Sequence, residues 1–438
     1  MAGALSGFPE WLPQVELVQQ ELIGIVRREF ELHGFTPLMT RSLEPLDALV
    51  GQGGETDKEI YGVHRLAAPE RGGTSDTKMG LHYDLTVPFA RYVSERRGEL
   101  TFPFRRYQVQ PAWRGERPQL GRFREFIQAD ADVIVQGALD LRFDIELVRL
   151  LRRTLDRIQS SALPIPRVKL LLNNRKLLEG FYRGLGVEAI APTLRVIDKL
   201  GKIGPEKVHA LLVQGGLTSE QATACIGISK LELHGSTDMD KVRALGVTHP
   251  LLDEGMSELG RVIDAASKGS AAGSVVGALH IARGLDYYTG TVVEGVFEDH
   301  PELGAVCSGG RYDNLASDGK QPLPGVGVSL GISRIMGYAE HLGLIKATKK
   351  TPAAVVVALH SEEERALSED VADALRARGI ATLVSDSSAA YGKQIKSASQ
   401  LGISFVWFPG RAGQPDEVKN IVSGTQAEAD RATWTPAS

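Results

Sequence analysis

The residues most able to do chemistry lie between positions 104 and 133. From 123 to 133 the residue types alternate, so Ile127, Ala129, Ala131 and Val133 point to one side of an extended chain and Arg124, Phe126, Gln128, Asp130 and Asp132 to the other. Residues 104–114 also read as extended, and 116–122 (ERPQLGR) joins the two runs into an antiparallel hairpin. One face of that hairpin is apolar and the other is crowded with polar groups. Such a face is either solvated or the floor of a binding site. Phe126 beside Trp113-Arg114 and two carboxylates suits a ligand that carries both a flat ring and phosphates.

A second constellation is residues 282–290, ARGLDYYTG, in which two tyrosines are flanked by arginine and aspartate. A buried phenol needs a hydrogen-bond partner. The segment reads equally as a strand entering a turn at Thr289-Gly290, or as a pocket wall where the phenols orient a small polar ligand and Arg283 meets an anion. Two glycine-rich pieces follow, CSGGRYD at 307–313 and GVGVSLG at 325–331, the latter leading to Arg334. Glycines admit close backbone approach or tight strand packing. Neither piece has the spacing of a P-loop or of the GxGxxG dinucleotide fingerprint, and no hydrolase-type nucleophile–base pair or metal-type histidine spacing is present.

These segments need a scaffold. Residues 13–34 form an expected amphipathic helix, with Val15, Val18, Leu22, Val26 and Phe30 on one stripe and Gly34 as its stop. A second helix is expected from an Asp140 cap through Leu155. Residues 173–270 turn helical, polar and Gly-interrupted, without a clean strand signal, and 275–335 returns to strands. After a linker at 346–352, a βαβαβ order is expected: strand 353–359, a helix opened by a Ser361/Glu364 capping box and ending near Gly379, strand 380–384, helix 391–401 and strand 403–408. At 438 residues the chain calls for two or three domains. The formal net charge of −4 leaves a nucleic-acid partner open, because a protein can grip RNA through local patches. Two cysteines without CxxC spacing, no secretion signal and no apolar run long enough for a bilayer point to a reducing cytoplasmic setting and no membrane.

The hairpin sequence WRGERPQLGRFREFIQ (113–128) closely resembles motif 2 of class II aminoacyl-tRNA synthetases in its histidyl form. RGLDYYTG (283–290) is similar to that family's histidine-specific peptide, SGGRYD (308–313) to its companion, 325–334 to motif 3, and LHYDLTVP (81–88) to its amino-acid-binding strand and loop. The resemblance implies an α+β fold: an antiparallel-sheet catalytic core (1–172 and 271–345), a helical insertion (173–270) and a C-terminal α/β anticodon-binding-like domain (351–438). It implies that histidine is activated by ATP, with Mg2+ expected, and passed to tRNA(His) by a homodimer. Arg114 and Arg283 take the catalytic roles; Asp84, Thr86, Arg114, Gln128, Asp132, Arg283, Tyr287 and Tyr288 meet histidine; Arg114, Glu116, Arg122, Phe126 and Arg334 meet ATP. No magnesium ligand follows from spacing. The chain departs from the family pattern at Arg41, where a motif 1 proline is usual, and at His82, Gly115 and Ser333. The competing reading is a non-catalytic, synthetase-like regulatory subunit that binds histidine.

Overall fold

The computed structural model describes residues 5–50, 59–64, 79–269, 273–281, 288–313, 322–411 and 413–436. The chain forms two compact units, Met1–Pro9 with Leu22–Leu344, and Glu10–Glu21 with Ile345–Ser438. In chain order the strands of the first unit are β1 (Thr36–Pro37), β2 (Leu43–Pro45), β3 (Gly62–Val63), β4 (Met79–Leu81), β5 (Phe104–Trp113), β6 (Glu125–Ile134), β7 (Val168–Asn174), β8 (Glu232–Leu233), β9 (Val275–Ala278), β10 (Thr291–Phe297), β11 (Cys307–Tyr312) and β12 (Gly325–Gly331). Nine of them build one sheet in the order β1-β5-β6-β12-β11-β10-β7-β9-β8, and β2-β4-β3 form a small second sheet. The large sheet is antiparallel except where β1 meets β5 and β7 meets β9. The expected mostly antiparallel sheet is therefore present.

The expected hairpin forms in the expected phase. Ala129, Ala131 and Val133 are fully buried against the helical layer, while the opposite face carries Gln128, Asp130 and Asp132. The helix Leu141–Gln159 begins as anticipated, with the Asp140 carboxylate accepting from the Arg142 N–H at 2.8 Å. Its apolar stripe, including Leu147, Leu151 and Leu155, is buried. The first helix is Pro13–Leu32, and Gly34 follows with φ of 78°, a left-handed conformation suited to glycine at a helix stop. Among the described residues, 175–267 hold helices and turns with β8 as the one strand, and its two residues are too few to leave a periodic signal.

In the second unit, β13 (Val355–Val357), β14 (Thr382–Val384), β15 (Phe405–Phe408), β16 (Glu417–Asn420) and β17 (Gln426–Glu428) form a sheet in the order β14-β13-β15-β16-β17. The first three are parallel, as the βαβαβ pattern requires. The helix Arg365–Ala377 packs Val371 and Leu375 against Val355, Val357 and Trp407; Ala398 of the helix Tyr391–Gln400 packs with Val356 and Val406 on the other face. Two features differ from expectation. Ser361 makes no side-chain cap to the backbone, because a 3₁₀ turn, Glu362–Glu364, precedes the helix and moves its start beyond the reach of that hydroxyl. β16 and β17 extend the sheet antiparallel, and their polar sequences EVKN and QAE carry no apolar alternation that would announce strands.

Candidate active site

β5, β6, β12 and β11 lie side by side, and their register decides what meets over the polar face. Opposite Gln128, Asp130 and Asp132 on β6 stand Gln110, Gln108 and Arg106 on β5, and Gly331, Ser329 and Gly327 on β12. Residues paired in register project to the same side of a sheet. The glycines make the room. A Cβ on Gly327 would come within 2.0 Å of Asp132 Oδ1, and one on Gly310 of β11 within 2.7 Å of the Tyr288 ring. The glycine-rich strands are thus close-packed against polar side chains.

Two hollows open on this face and share Arg114, Gln128, Tyr288, Ser308 and Ser329. The larger, of about 390 Å3, is walled by Arg114, Glu116, Arg122, Phe126 and Arg334; the smaller, of about 120 Å3, by Asp84, Thr86, Arg114, Gln128, Asp130, Asp132 and Tyr288. Every proposed site residue that the structure describes therefore lies in one of two adjoining hollows. Arg283 and Tyr287 lie outside the described residues.

The larger hollow offers cations and an aromatic face. The Arg114 guanidinium lies 5.1 Å from the Phe126 ring centre, and its Nε donates to the Tyr83 carbonyl at 3.0 Å. Arg122 faces Glu116 at 3.9 Å. Arg334 is held by the Tyr338 hydroxyl at 3.2 Å and the Leu303 carbonyl at 3.2 Å, and Tyr338 in turn donates to Leu303 at 2.5 Å.

The smaller hollow offers acceptors. Asp84 accepts from the Val87 N–H at 3.0 Å at the start of the helix Thr86–Arg96. Asp132 takes Arg106 at 2.8 Å and the Tyr312 hydroxyl at 2.9 Å. Burial pushes the carboxyls of Asp84, Asp130 and Asp132 upward, Asp130 to about 7. Gln128 donates to Ser329 at 3.0 Å, yet its Oε1 is buried with no partner among the described residues. A surplus of buried acceptors calls for a ligand rich in N–H donors.

Arg106, Gln108 and Tyr312 belong to this site without having been singled out beforehand. Arg106 is fully buried, with its guanidinium 4.1 Å from the Phe89 ring centre. Its signal was the same alternation that marks β6, since 106, 108 and 110 are all polar, but only the register reveals that Arg106 faces Asp132.

The family model for histidyl-tRNA synthetase matches residues 7–335, and the anticodon binding domain model matches 353–422. The chain belongs to the histidyl-tRNA synthetase family. It is 47% identical to the histidine--tRNA ligase of Cutibacterium acnes over 438 residues, covering 99% of this chain and 96% of that one. It is 49% identical to the ligase of Micrococcus luteus over 446 residues, with the same coverage. The crystal structure of histidyl-tRNA synthetase from Nostoc sp. PCC 7120 superposes with a TM-score of 0.86 at 32% identity, covering 98% of this chain and 96% of that chain.

The departures from the family pattern have local explanations. His82 is buried, its ring nitrogens 2.7 Å from the Pro111 carbonyl and 3.2 Å from that of Arg41, so it braces the strands behind the site. Gly115 donates to the Glu59 carbonyl at 2.8 Å, and a Cβ there would sit 3.1 Å from that oxygen. Ser333 accepts from the Ile127 N–H at 2.8 Å and ties the helix Ile332–His341 to β6. Arg41 pairs with the buried Glu44 at 3.0 Å.

Tyr338 holds Arg334, which the family resemblance assigns to ATP, so we propose it as a positioning residue. Removing its hydroxyl with Tyr338→Phe unties Arg334 Nε, and a hydrogen bond to a charged group accounts for roughly tenfold in affinity. The expected result is about a tenfold rise in KM for ATP with KM for histidine unchanged. Steady-state exchange kinetics check this, and an unchanged KM for ATP removes Tyr338 from that role.

Proposed function

We propose that this chain is a histidine--tRNA ligase of class II, which activates histidine with ATP and transfers it to the 3′ end of tRNA(His). The observation that carries the reading is the adjacency of the two hollows: a cationic, aromatic one that suits a nucleotide triphosphate, and an acceptor-lined one that suits a small cation-bearing amino acid. Arg114 stands in both.

The chemistry follows from that layout. Histidine's carboxylate attacks the α-phosphate of ATP, pyrophosphate leaves, and the tRNA's terminal ribose hydroxyl then attacks the adenylate carbonyl. Arg114, at the junction, holds the carboxylate and the α-phosphate together and meets the charge that develops between them. Arg283 is assigned charge that develops on the α-phosphate, as the family resemblance implies. Phe126 stacks on adenine, Glu116 faces its amino group, Arg122 meets the phosphates and Arg334 the γ-phosphate end. Asp84, Thr86 and Gln128 take the substrate ammonium; Asp132 and Tyr288, with Tyr287, read the imidazole nitrogens. A competitor lacking one ring nitrogen leaves a buried polar group unpaired, which is the strongest form of rejection available to such a pocket.

Among the described residues no cluster of three His, Cys, Asp or Glu could hold a metal by itself. Mg2+ that travels with a triphosphate is coordinated chiefly by phosphate oxygens and needs only one or two protein carboxylates. Glu294 on the wall of the larger hollow fits that demand. We assign residues 1–172 and 271–345 to the catalytic core, 173–270 to the insertion and 351–438 to tRNA binding, with a homodimer working in the cytoplasm. No helix among the described residues is long and apolar enough to cross a membrane. The non-catalytic regulatory reading is not favoured, because relatives at 46–49% identity over nearly the whole chain are named histidine--tRNA ligase.

The test is exchange of labelled pyrophosphate into ATP across a panel of amino acids. Exchange with histidine alone is expected. Exchange driven by another amino acid, or by none, overturns the assignment.

A further inference from the structure

We propose that Asp130 holds a proton in the empty enzyme and releases it when the substrate ammonium enters, so that this second carboxylate of β6 sets histidine affinity against pH. The inference rests on reading the smaller hollow as the histidine site.

The geometry begins with two acceptors on neighbouring strands. Asp130 and Gln108 are directly paired across β6 and β5. Side chains at such positions project together, with Cβ atoms about 5 Å apart. Asp130 Oδ1 and Gln108 Oε1 are both buried, and neither has a partner among the described residues. The Gln108 amide cannot simply turn round, because its nitrogen already donates to Thr40 Oγ1 at 2.9 Å and to Gln110 Oε1 at 2.7 Å. Two buried acceptors without a donor are costly. One proton on Asp130 turns one of these two cross-strand acceptors into an O–H donor.

The surrounding charges agree. Arg106 reaches from β5; its Nη2 is committed to Asp132 at 2.8 Å, and its Nε and Nη1 are buried without a hydrogen-bond partner among the described residues, so neither bonds to Asp130. Asp132 on β6 and Asp84 before the helix Thr86–Arg96 are like charges near Asp130, and Arg114, Tyr288 and Tyr312 complete the ionisable lining. Burial lifts the Asp130 carboxyl to about 7, Arg106 opposes the lift, and Asp132 and Asp84 add to it. With its proton in place, Asp130 adds no negative charge to a hollow that has no substrate.

A route to the ligand exists. The Ser329 hydroxyl hydrogen-bonds to the Asp130 carboxylate and accepts from Gln128, whose unpartnered Oε1 is the acceptor assigned to the ammonium. An entering ammonium brings positive charge and three N–H donors. The neutral acid then loses its proton to solvent, leaving a carboxylate beside the bound cation, and charge balances. Because the bound state prefers the ionised form, affinity rises with pH until the empty site has itself lost the proton near neutrality.

The experiment is calorimetric titration of the full chain with histidine alone, over about two pH units up to neutrality and slightly beyond, for the wild type and Asp130→Asn. Free histidine's own ring titrates identically in both series, so the ratio of affinities isolates Asp130. The expected ratio changes by up to about tenfold per pH unit below neutrality, wild type gaining affinity as pH rises. Parallel profiles, or a change of the opposite sign, overturn the proposal. A second readout needs only the wild type: difference infrared spectra below neutrality should lose the carbonyl band of a neutral carboxylic acid on histidine addition, and a band that persists also overturns it. A wild type that binds no histidine at any pH sinks instead the reading of the hollow.

Discussion

Replacing Arg114 by alanine is expected to slow histidine-dependent pyrophosphate exchange by about 10²–10³-fold, the loss typical of removing one preorganised donor from a site of developing charge. Arg114 lines both hollows, where the proposed function brings the carboxylate of one substrate to the α-phosphate of the other. Its orientation is fixed twice, by the Nε donation to the Tyr83 carbonyl at 3.0 Å and by stacking at 5.1 Å from the Phe126 ring centre. Both contacts use the planar guanidinium. Arg114→Lys keeps the charge but loses the fork and the stack, so it should recover only a minor part of the rate. The loss should fall on kcat more than on either KM, since the charge is greatest in the transition state. An alanine variant that keeps its rate within about threefold would remove Arg114 from catalysis.

Much of this site could be read without coordinates because one strand announced its own faces. Period-two alternation over 123–133 placed Gln128, Asp130 and Asp132 on one side, and the structure keeps that phase, with Ala129, Ala131 and Val133 buried on the other. Alternation carries no register, however. That Arg106 faces Asp132, and Gln108 faces Asp130, depends on pairing Phe104 with Ile134, which no local pattern in either strand specifies. The glycines of 325–331 were visible as a composition, but which side chain each accommodates is long-range. A Cβ at Gly327 would strike Asp132, nearly 200 residues earlier in the chain. In the second unit the apolar strands and their helices were legible for the same reason as β6. β16 and β17 were not, because short polar strands at the edge of a sheet bury too little to leave a pattern.

Arg311→Ala is the substitution expected to cost most in stability. Arg311 stands in the glycine-rich β11 between Gly310, which lies beneath the Tyr288 ring, and Tyr312, which donates to Asp132. Its own side chain points the other way and is buried. The guanidinium binds Asp144 of the helix Leu141–Gln159 with two hydrogen bonds, of 3.1 and 2.5 Å, and donates to the Leu139 carbonyl at 2.8 Å. Asp144 is itself fully buried. Alanine leaves that carboxylate charged, desolvated and alone, and breaking a buried pair from one side costs about 3–5 kcal/mol. The pair as a whole need not be worth that much, because desolving both partners offsets most of their attraction. The double variant Arg311→Met, Asp144→Leu, which fills the space and removes both charges, should therefore recover most of the loss. Urea unfolding followed by hydrogen exchange of the β6 and β11 amides reads both. A single variant within about 1 kcal/mol of wild type would show that Asp144 finds another partner. The functional consequence follows from position: a β11 that has lost its anchor to the helix no longer fixes Tyr312 on Asp132, so KM for histidine should rise in whatever fraction of Arg311→Ala stays folded.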